Sequence, residues 1–185
     1  TVQLDATNRR VDVVGEGVDV AIRVRPPPLE DSDLVVRVLA RRVWCTSASP
    51  TLLEQLGTPQ VPADLAVMPT VDLASASQQH AWEYTGPDDV LASVHHRPRL
   101  VSDDMIALRA AAVAGVGLLM LPRMMITDEL DSGALVPVLT EWVPKHGIVH
   151  AVFPSRRGLL PAVRALIDYL AERSEERRVG KEVKL

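Results

Sequence analysis

The chain has 185 residues, 47% of them hydrophobic and 24% charged, with a formal net charge of −4. That length supports a sizeable core in one domain or two small lobes. The negative charge and an aromatic content of 3% exclude a surface built to coat or stack on nucleic acid. The single cysteine, Cys45, excludes an internal disulfide and permits a reducing compartment. No apolar run reaches the roughly 18 residues of a membrane span.

Val2–Asp5 alternates like a strand. Thr7 and Asn8 form a capping pair ahead of a short helix over Arg9–Glu16, with Val11 and Val14 inward and Gly17 as its stop. Asp19–Val24 (DVAIRV) reads as a second strand, so the opening is expected to be a β-α-β unit with parallel strands and a right-handed crossover. A proline-rich loop follows, then strands over Leu34–Leu39 and Arg42–Ser47. Ser49–Gly57 is a helix with a hydroxyl cap, proline near its start and glycine at its end. Val61–Leu65 reads as one helical turn, and Val67–Leu73 as a strand entering the polar loop ASASQQ. His80–Tyr84 and Val90–His95 read as a hairpin around Gly86–Asp89.

The stretch Val101–Met125 organises the rest. Ser102 is read as the N-cap of a buried helix, with Asp103 and Asp104 in its first turn. Met105, Ile106, Leu108, Ala111, Ala112 and Val113 supply its apolar positions, and Gly115 its left-handed stop. Leu118–Leu121 is short and wholly apolar, as a strand covered on both faces would be. Such a helix N-terminus at the edge of an open α/β sheet is a common place for a small ligand, and equally a plain part of a core. Met124–Asp131 is expected to be helical to Gly133, Leu135–Leu139 and Ile148–Phe153 to be strands, and Leu159–Glu172 to be an amphipathic helix burying Leu160, Val163, Leu166, Ile167 and Leu170. Arg173–Leu185 loses the apolar period and is read as a disordered or non-native tail without function.

Four segments, GEGVDVAIRV, EDSDLVVRVLARR, SPTLLEQLGTPQVPADL and SDDMIALRAAAVAGVGLLMLP, occur in the order and spacing of one family. Over about Val2–Glu172 the chain resembles the effector-binding domain of LysR-type transcriptional regulators. The resemblance implies an α/β fold like a type 2 periplasmic binding protein, with two lobes, two crossing strands and a cleft. Lobe one would be residues 1–41 plus 148–172, and lobe two residues 42–147. It also implies that the helix-turn-helix and the first strand and helix of lobe one precede this stretch, leaving the first lobe incomplete. The partners implied are a small-molecule effector, a second copy of the chain in a dimer or tetramer, and DNA only through the missing helix-turn-helix. No membrane partner and no cofactor are expected, and the location is cytoplasmic. The alternative is a transporter's solute-binding protein of the same fold. An enzyme would need a constellation the sequence does not offer.

Within that frame Thr7 stands where the family often places a hydroxyl facing inducer, or it is only a cap. Val24 and Arg25 end a strand at the cleft mouth, where Arg25 either clamps a carboxylate in bidentate fashion or is a solvated arginine. Ser75, Ser77 and Gln78 offer hydrogen bonds to a bound anion, or form a plain polar loop. Backbone N–H groups over Asp103–Met105 would greet an anion, while the two carboxylates there would favour an amine or hydroxyl. His95 and His96 are adjacent and on a strand point to opposite faces, and His80, His146 and His150 are scattered, so no metal site is expected. Cys45 reads as a small core residue, and Gly115-Val116-Gly117 as helix exit and strand entry rather than a phosphate loop.

Overall fold

The computed structural model describes residues 1–7, 9, 11–25, 34–74, 79–145, 147–154 and 160–182, with backbone alone at residues 25 and 175–182. In chain order the elements are β1 (Ala21–Arg25), β2 (Val35–Arg42), β3 (Trp44–Ala48), α1 (Pro50–Leu56), a 3-10 turn (Pro62–Ala66), β4 (Thr70–Leu73), β5 (Ala81–Thr85), β6 (Leu91–His95), β7 (Pro98–Ser102), α2 (Met105–Val113), β8 (Leu118–Pro122), α3 (Thr127–Asp131), β9 (Val136–Pro137), β10 (Val143–Pro144), β11 (Gly147–Phe153) and α4 (Pro161–Glu182). They fall into two compact units, Thr1–Arg42 with Gly147–Leu185, and Val43–His146.

The first unit is a three-stranded sheet in the order β1-β11-β2, antiparallel throughout. Its core joins Leu39, Ala151 and Phe153 of the sheet to Val163, Ile167 and Ala171 of α4. The valine, isoleucine and alanine recur at four-residue spacing and so lie along one stripe of the helix.

The second unit packs a five-stranded sheet, ordered β7-β4-β8-β3-β9, against a smaller sheet, β10-β5-β6. Strand β4 runs parallel to β7 and β8, while β3 runs antiparallel to β8. Strand β8 is apolar because both its faces are covered: Leu118 and Met120 turn to the smaller sheet, Leu119 and Leu121 to α2. Leu118, Leu119 and Leu121 are fully buried, each stabilising by roughly 1.5–3 kcal/mol. On β5, Trp82 and Tyr84 point inward while Ala81 and Glu83 are exposed, and the Tyr84 hydroxyl shares a 2.9 Å hydrogen bond with Thr46 on β3.

Several expectations are met. Ser49 caps α1 by accepting from the Leu52 N–H, and Gly57 ends it at φ +83. The β5–β6 hairpin forms with the expected antiparallel pairing.

Others are corrected. Val2–Asp5 is not a strand; Val2 and Leu4 are exposed, and alternation without a neighbouring ladder leaves the backbone groups no partner. Arg9–Glu16 is not a helix. Asp12 Oδ1 accepts from the N–H groups of Val14 and Gly15, and Glu16 Oε1 accepts from the Asp12 N–H, so side chains take donors a helix would send to carbonyls. Val13, not Val14, is buried there. The expected parallel β-α-β opening is therefore replaced by antiparallel pairing of β1 with the distant β11. Strand β7 is not legible in the sequence because of its proline and Arg99, although Leu100 packs into the core beside β4. Ile106, Val113 and Leu160, expected to be buried, are exposed. The α4 backbone runs on to Glu182 rather than ending at Glu172, since Arg, Glu and Lys sustain a helix without an apolar period.

Candidate functional site

The carboxyl ends of β4 and β7 come together at the start of α2. Leu73 is in register with Ser102, and the Ala74 N–H donates to the Ser102 carbonyl at 3.0 Å. The cap of α2 is Asp104 rather than Ser102. Asp104 is extended at φ −92, and its Oδ1 accepts from the Ile106 N–H at 2.8 Å. Ser102 ends β7, and its hydroxyl accepts from the Asp104 N–H at 3.1 Å. A carboxylate thus already occupies the positive end of α2, which lowers its attraction for an anion. Met105, the first helical residue, packs its side chain against the cluster containing Val71, Leu108 and Ile126. Arg109 then ties α2 to the next segment, donating to the Met125 carbonyl and pairing with Glu129 at 3.2 Å.

Of the residues singled out in the sequence, Asp103 and Met105 lie at this end of the second unit. Ser75, Ser77 and Gln78 lie outside the described residues, though Ala74, directly before them, is anchored on Ser102. Thr7, Val24 and Arg25 belong to the first unit. Thr7 is exposed, its hydroxyl accepting from the Arg9 N–H at 3.3 Å, as a cap would. Val24 is exposed on β1, opposite Val149, and Arg25 is the last residue of that strand. An open groove of about 620 Å³ lies elsewhere in the second unit, between the 3-10 turn and β6, and neither Asp103 nor Met105 lines it.

One cluster was missed. Asp72 on β4 receives the Trp82 indole N–H at 2.9 Å and holds His80 Nδ1 at 2.7 Å. His96 shares a 2.7 Å hydrogen bond with Thr70 and sits 3.6 Å from Asp72. The available signal was the period of two: Thr70 and Asp72 share one face of β4, as Trp82 shares a face of β5 with Tyr84. Burial holds His96 below the ordinary histidine value and Tyr84 above the ordinary phenol value. The order Thr–His–Asp resembles that of a hydrolase, but Thr70 has no exposed surface, so no substrate reaches its hydroxyl. Cys45 is half-buried, and burial pushes its thiol up, away from the reactive thiolate. Among the described residues no group of three or more His, Cys, Asp or Glu is placed to hold a metal ion, and no helix is long and apolar enough to cross a membrane.

Comparison with known proteins agrees with this architecture. A transcriptional regulator of the helix-turn-helix type from Xanthomonas campestris is 33% identical over 178 residues, covering 93% of this chain and 51% of its own length. The transcriptional activator AaeR of Escherichia coli is 28% identical over 161 residues, covering 87% of this chain and 51% of its own length. The chain therefore spans about half the length of the curated relatives it matches. Full-length AphB, a Vibrio cholerae virulence activator, superposes with a TM-score of 0.77 at 22% identity, covering 93% of this chain and 57% of AphB. The regulatory domain of CrgA from Neisseria meningitidis gives 0.73 at 24% identity, covering 90% and 80%. Both share the fold. Residues 1–175 match the family described as the LysR substrate binding domain, and with a relative one-third identical across nearly the whole chain, this protein belongs to that family.

Proposed function

We propose that this chain is the effector-sensing part of a cytoplasmic LysR-type transcription regulator, that it binds a small-molecule inducer without making or breaking a bond, and that binding shifts the population of a DNA-bound oligomer. The observation that carries the reading is the family match across residues 1–175. The junction of β4, β7 and α2 supports it, because the ends of parallel strands beside a helix N-terminus suit a small solute. Asp103, Met105 and the Ser75–Gln78 loop are the contacts proposed in the second unit, and Thr7, Val24 and Arg25 those in the first. DNA contact belongs to a helix-turn-helix in the whole protein. The relatives are transcriptional regulators, which favours this reading over a transporter's solute-binding protein.

The test is a thermal-shift screen of small carboxylates and aromatic acids, followed by calorimetry on any hit. Thr7→Val is expected to weaken binding by about tenfold, the loss of one hydrogen bond, with an unchanged melting temperature. Unchanged affinity removes Thr7 from the site. An upstream reading frame without a helix-turn-helix overturns the regulator assignment.

A further inference from the structure

The base of the β5–β6 hairpin meets β4 through one carboxylate and two imidazoles. Asp72 Oδ1 accepts from Trp82, and Oδ2 lies 2.7 Å from His80 Nδ1 and 3.6 Å from His96 Nε2. The His96 side chain has no exposed surface, and its Nε2 has no hydrogen-bond partner among the described residues. Its ring lies 4.3 Å from that of Trp82 and 6.0 Å from that of His80. The His96 N–H donates to the His80 carbonyl at 3.1 Å, so both imidazoles sit on one rung of the ladder.

Electrostatics selects the tautomer. If the Thr70 hydroxyl donates to His96 Nδ1, the ring proton sits on Nε2, toward Asp72. The other tautomer would aim a lone pair at a negatively charged oxygen. The anion is then faced by three N–H groups. A proton on His80, which is 15% exposed, makes a neutral pair with Asp72. A second must go to His96 Nδ1, turning Thr70 from donor to acceptor. It places a second cation beside the first, in a buried position, with one carboxylate to balance both.

We propose that Asp72, His80 and His96 form a proton-sensitive clasp between β4 and the β5–β6 hairpin, closed while at most one imidazole is charged and released when both are. The titratable groups acting on His96 are Asp72 from β4, His80 ahead of β5 and His95 at the end of β6. Burial is the largest influence and lowers its proton affinity, Asp72 opposes, and His80 and His95 add to the lowering. On β5, Glu83 is exposed and pairs with Lys145, and Tyr84 is held neutral by burial, which outweighs the opposing effect of its bond to Thr46. The sign follows. The closed form takes up the second proton less readily than the open form, so the clasp is complete above the ordinary histidine value of about 6.5 and weakens as pH falls below it. The clasp stands or falls independently of any effector.

The test is a nuclear magnetic resonance titration of the histidine rings in the full chain from pH 8 to 5, with amide exchange of β5 and β6 referenced to intrinsic rates. His96 is expected to titrate below the ordinary histidine value of about 6.5. Protection of the hairpin amides is expected to fall by about tenfold per pH unit below 6.5, the slope of one proton, while that of β8 holds. His96→Asn is expected to abolish the fall, and Asp72→Asn to loosen the hairpin at every pH. Should His96→Asn not fold, His80→Asn, at the rim, is expected to shrink the fall, because without the competing charge Asp72 has one imidazolium to balance. Independent titration of both rings in the unsubstituted chain, with hairpin protection unaffected by pH, overturns the proposal, as does an unchanged fall in His96→Asn.

Discussion

Gly117 is where the packing of the second unit is least forgiving. A Cβ added there would meet the carbonyl carbon, Cα and nitrogen of Thr70 at 2.7, 2.8 and 2.8 Å. These are backbone atoms of β4, a strand paired on both sides, and the Leu118 N–H donates to the Pro69 carbonyl at 2.8 Å. No side chain can swing aside. Carbon atoms in contact normally sit at about 3.5–4.0 Å, so relief requires β4 and β8 to part by roughly 1 Å. Gly117→Ala is therefore expected to cost about 3 kcal/mol, the upper end of overpacking penalties. For a chain of 185 residues that lowers the melting temperature by about 6–12 °C. Tryptophan fluorescence is the assay, because all 3 tryptophans, Trp44, Trp82 and Trp142, lie in the second unit and report its unfolding alone. Gly133→Ala is the control: at φ +76 with open space around it, it carries only the left-handed backbone cost of about 1–2 kcal/mol. A Gly117→Ala shift no larger than the control's would refute the reasoning.

Leu108 is fully buried beneath β4 and β8, so Leu108→Ala is expected to leave a cavity costing about 2–5 kcal/mol, read by urea unfolding with the same fluorescence. Glu16 is gripped by the Arg9 fork and the Asp12 N–H, which hold its carboxyl down to about 2. Its contribution is whole above the ordinary carboxylate range and lost as pH falls toward that value; a ring-free carboxyl titration in Arg9→Ala should move the midpoint upward, and an unmoved midpoint would show the fork is not the cause. The last buried residue described on α4 is Ala171, so a chain ended after Ser174 is expected to melt within about 2 °C of the full one; a larger drop in a calorimetric scan would show that the segment beyond contributes to folding.

How much could be read in advance follows from how local each signal was. The α1 cap, the β5–β6 hairpin and the glycine at 115 are set by neighbours a few residues apart, and they stand as expected. Gly117 beside it was read as strand entry, but its need for glycine comes from Thr70, far away in sequence. The opening failed because Val2 and Leu4 alternate with nothing to pair against, and because Asp12 and Glu16 satisfy backbone donors that periodicity assigns to a helix. The Asp72 cluster escaped because its members come from three segments that meet only when one sheet docks on the other. Adjacency on a strand did separate His95 from His96, one exposed and one buried, but it does not say what the buried ring faces. Of the site itself, the strand-to-helix junction was readable, while the identity of its cap was not, since Ser102 and Asp104 are both good caps and only the extended conformation at Asp104 decides.

The first sheet has two borders of unequal character. Strand β2 carries Arg37, Arg41 and Arg42 along its border, whereas β1 bonds to β11 on one side and to no described strand on the other, with Ile22 and Val24 exposed. Arginines on a rim discourage another backbone from zipping on; β1 also carries Arg23 and Arg25, so its open aliphatic surface is that of Ile22 and Val24 alone. Crowding the protein in a tube therefore invites ribbon-on-ribbon growth from that five-residue border, and the working concentration for any titration is set there rather than by the molecule's net charge.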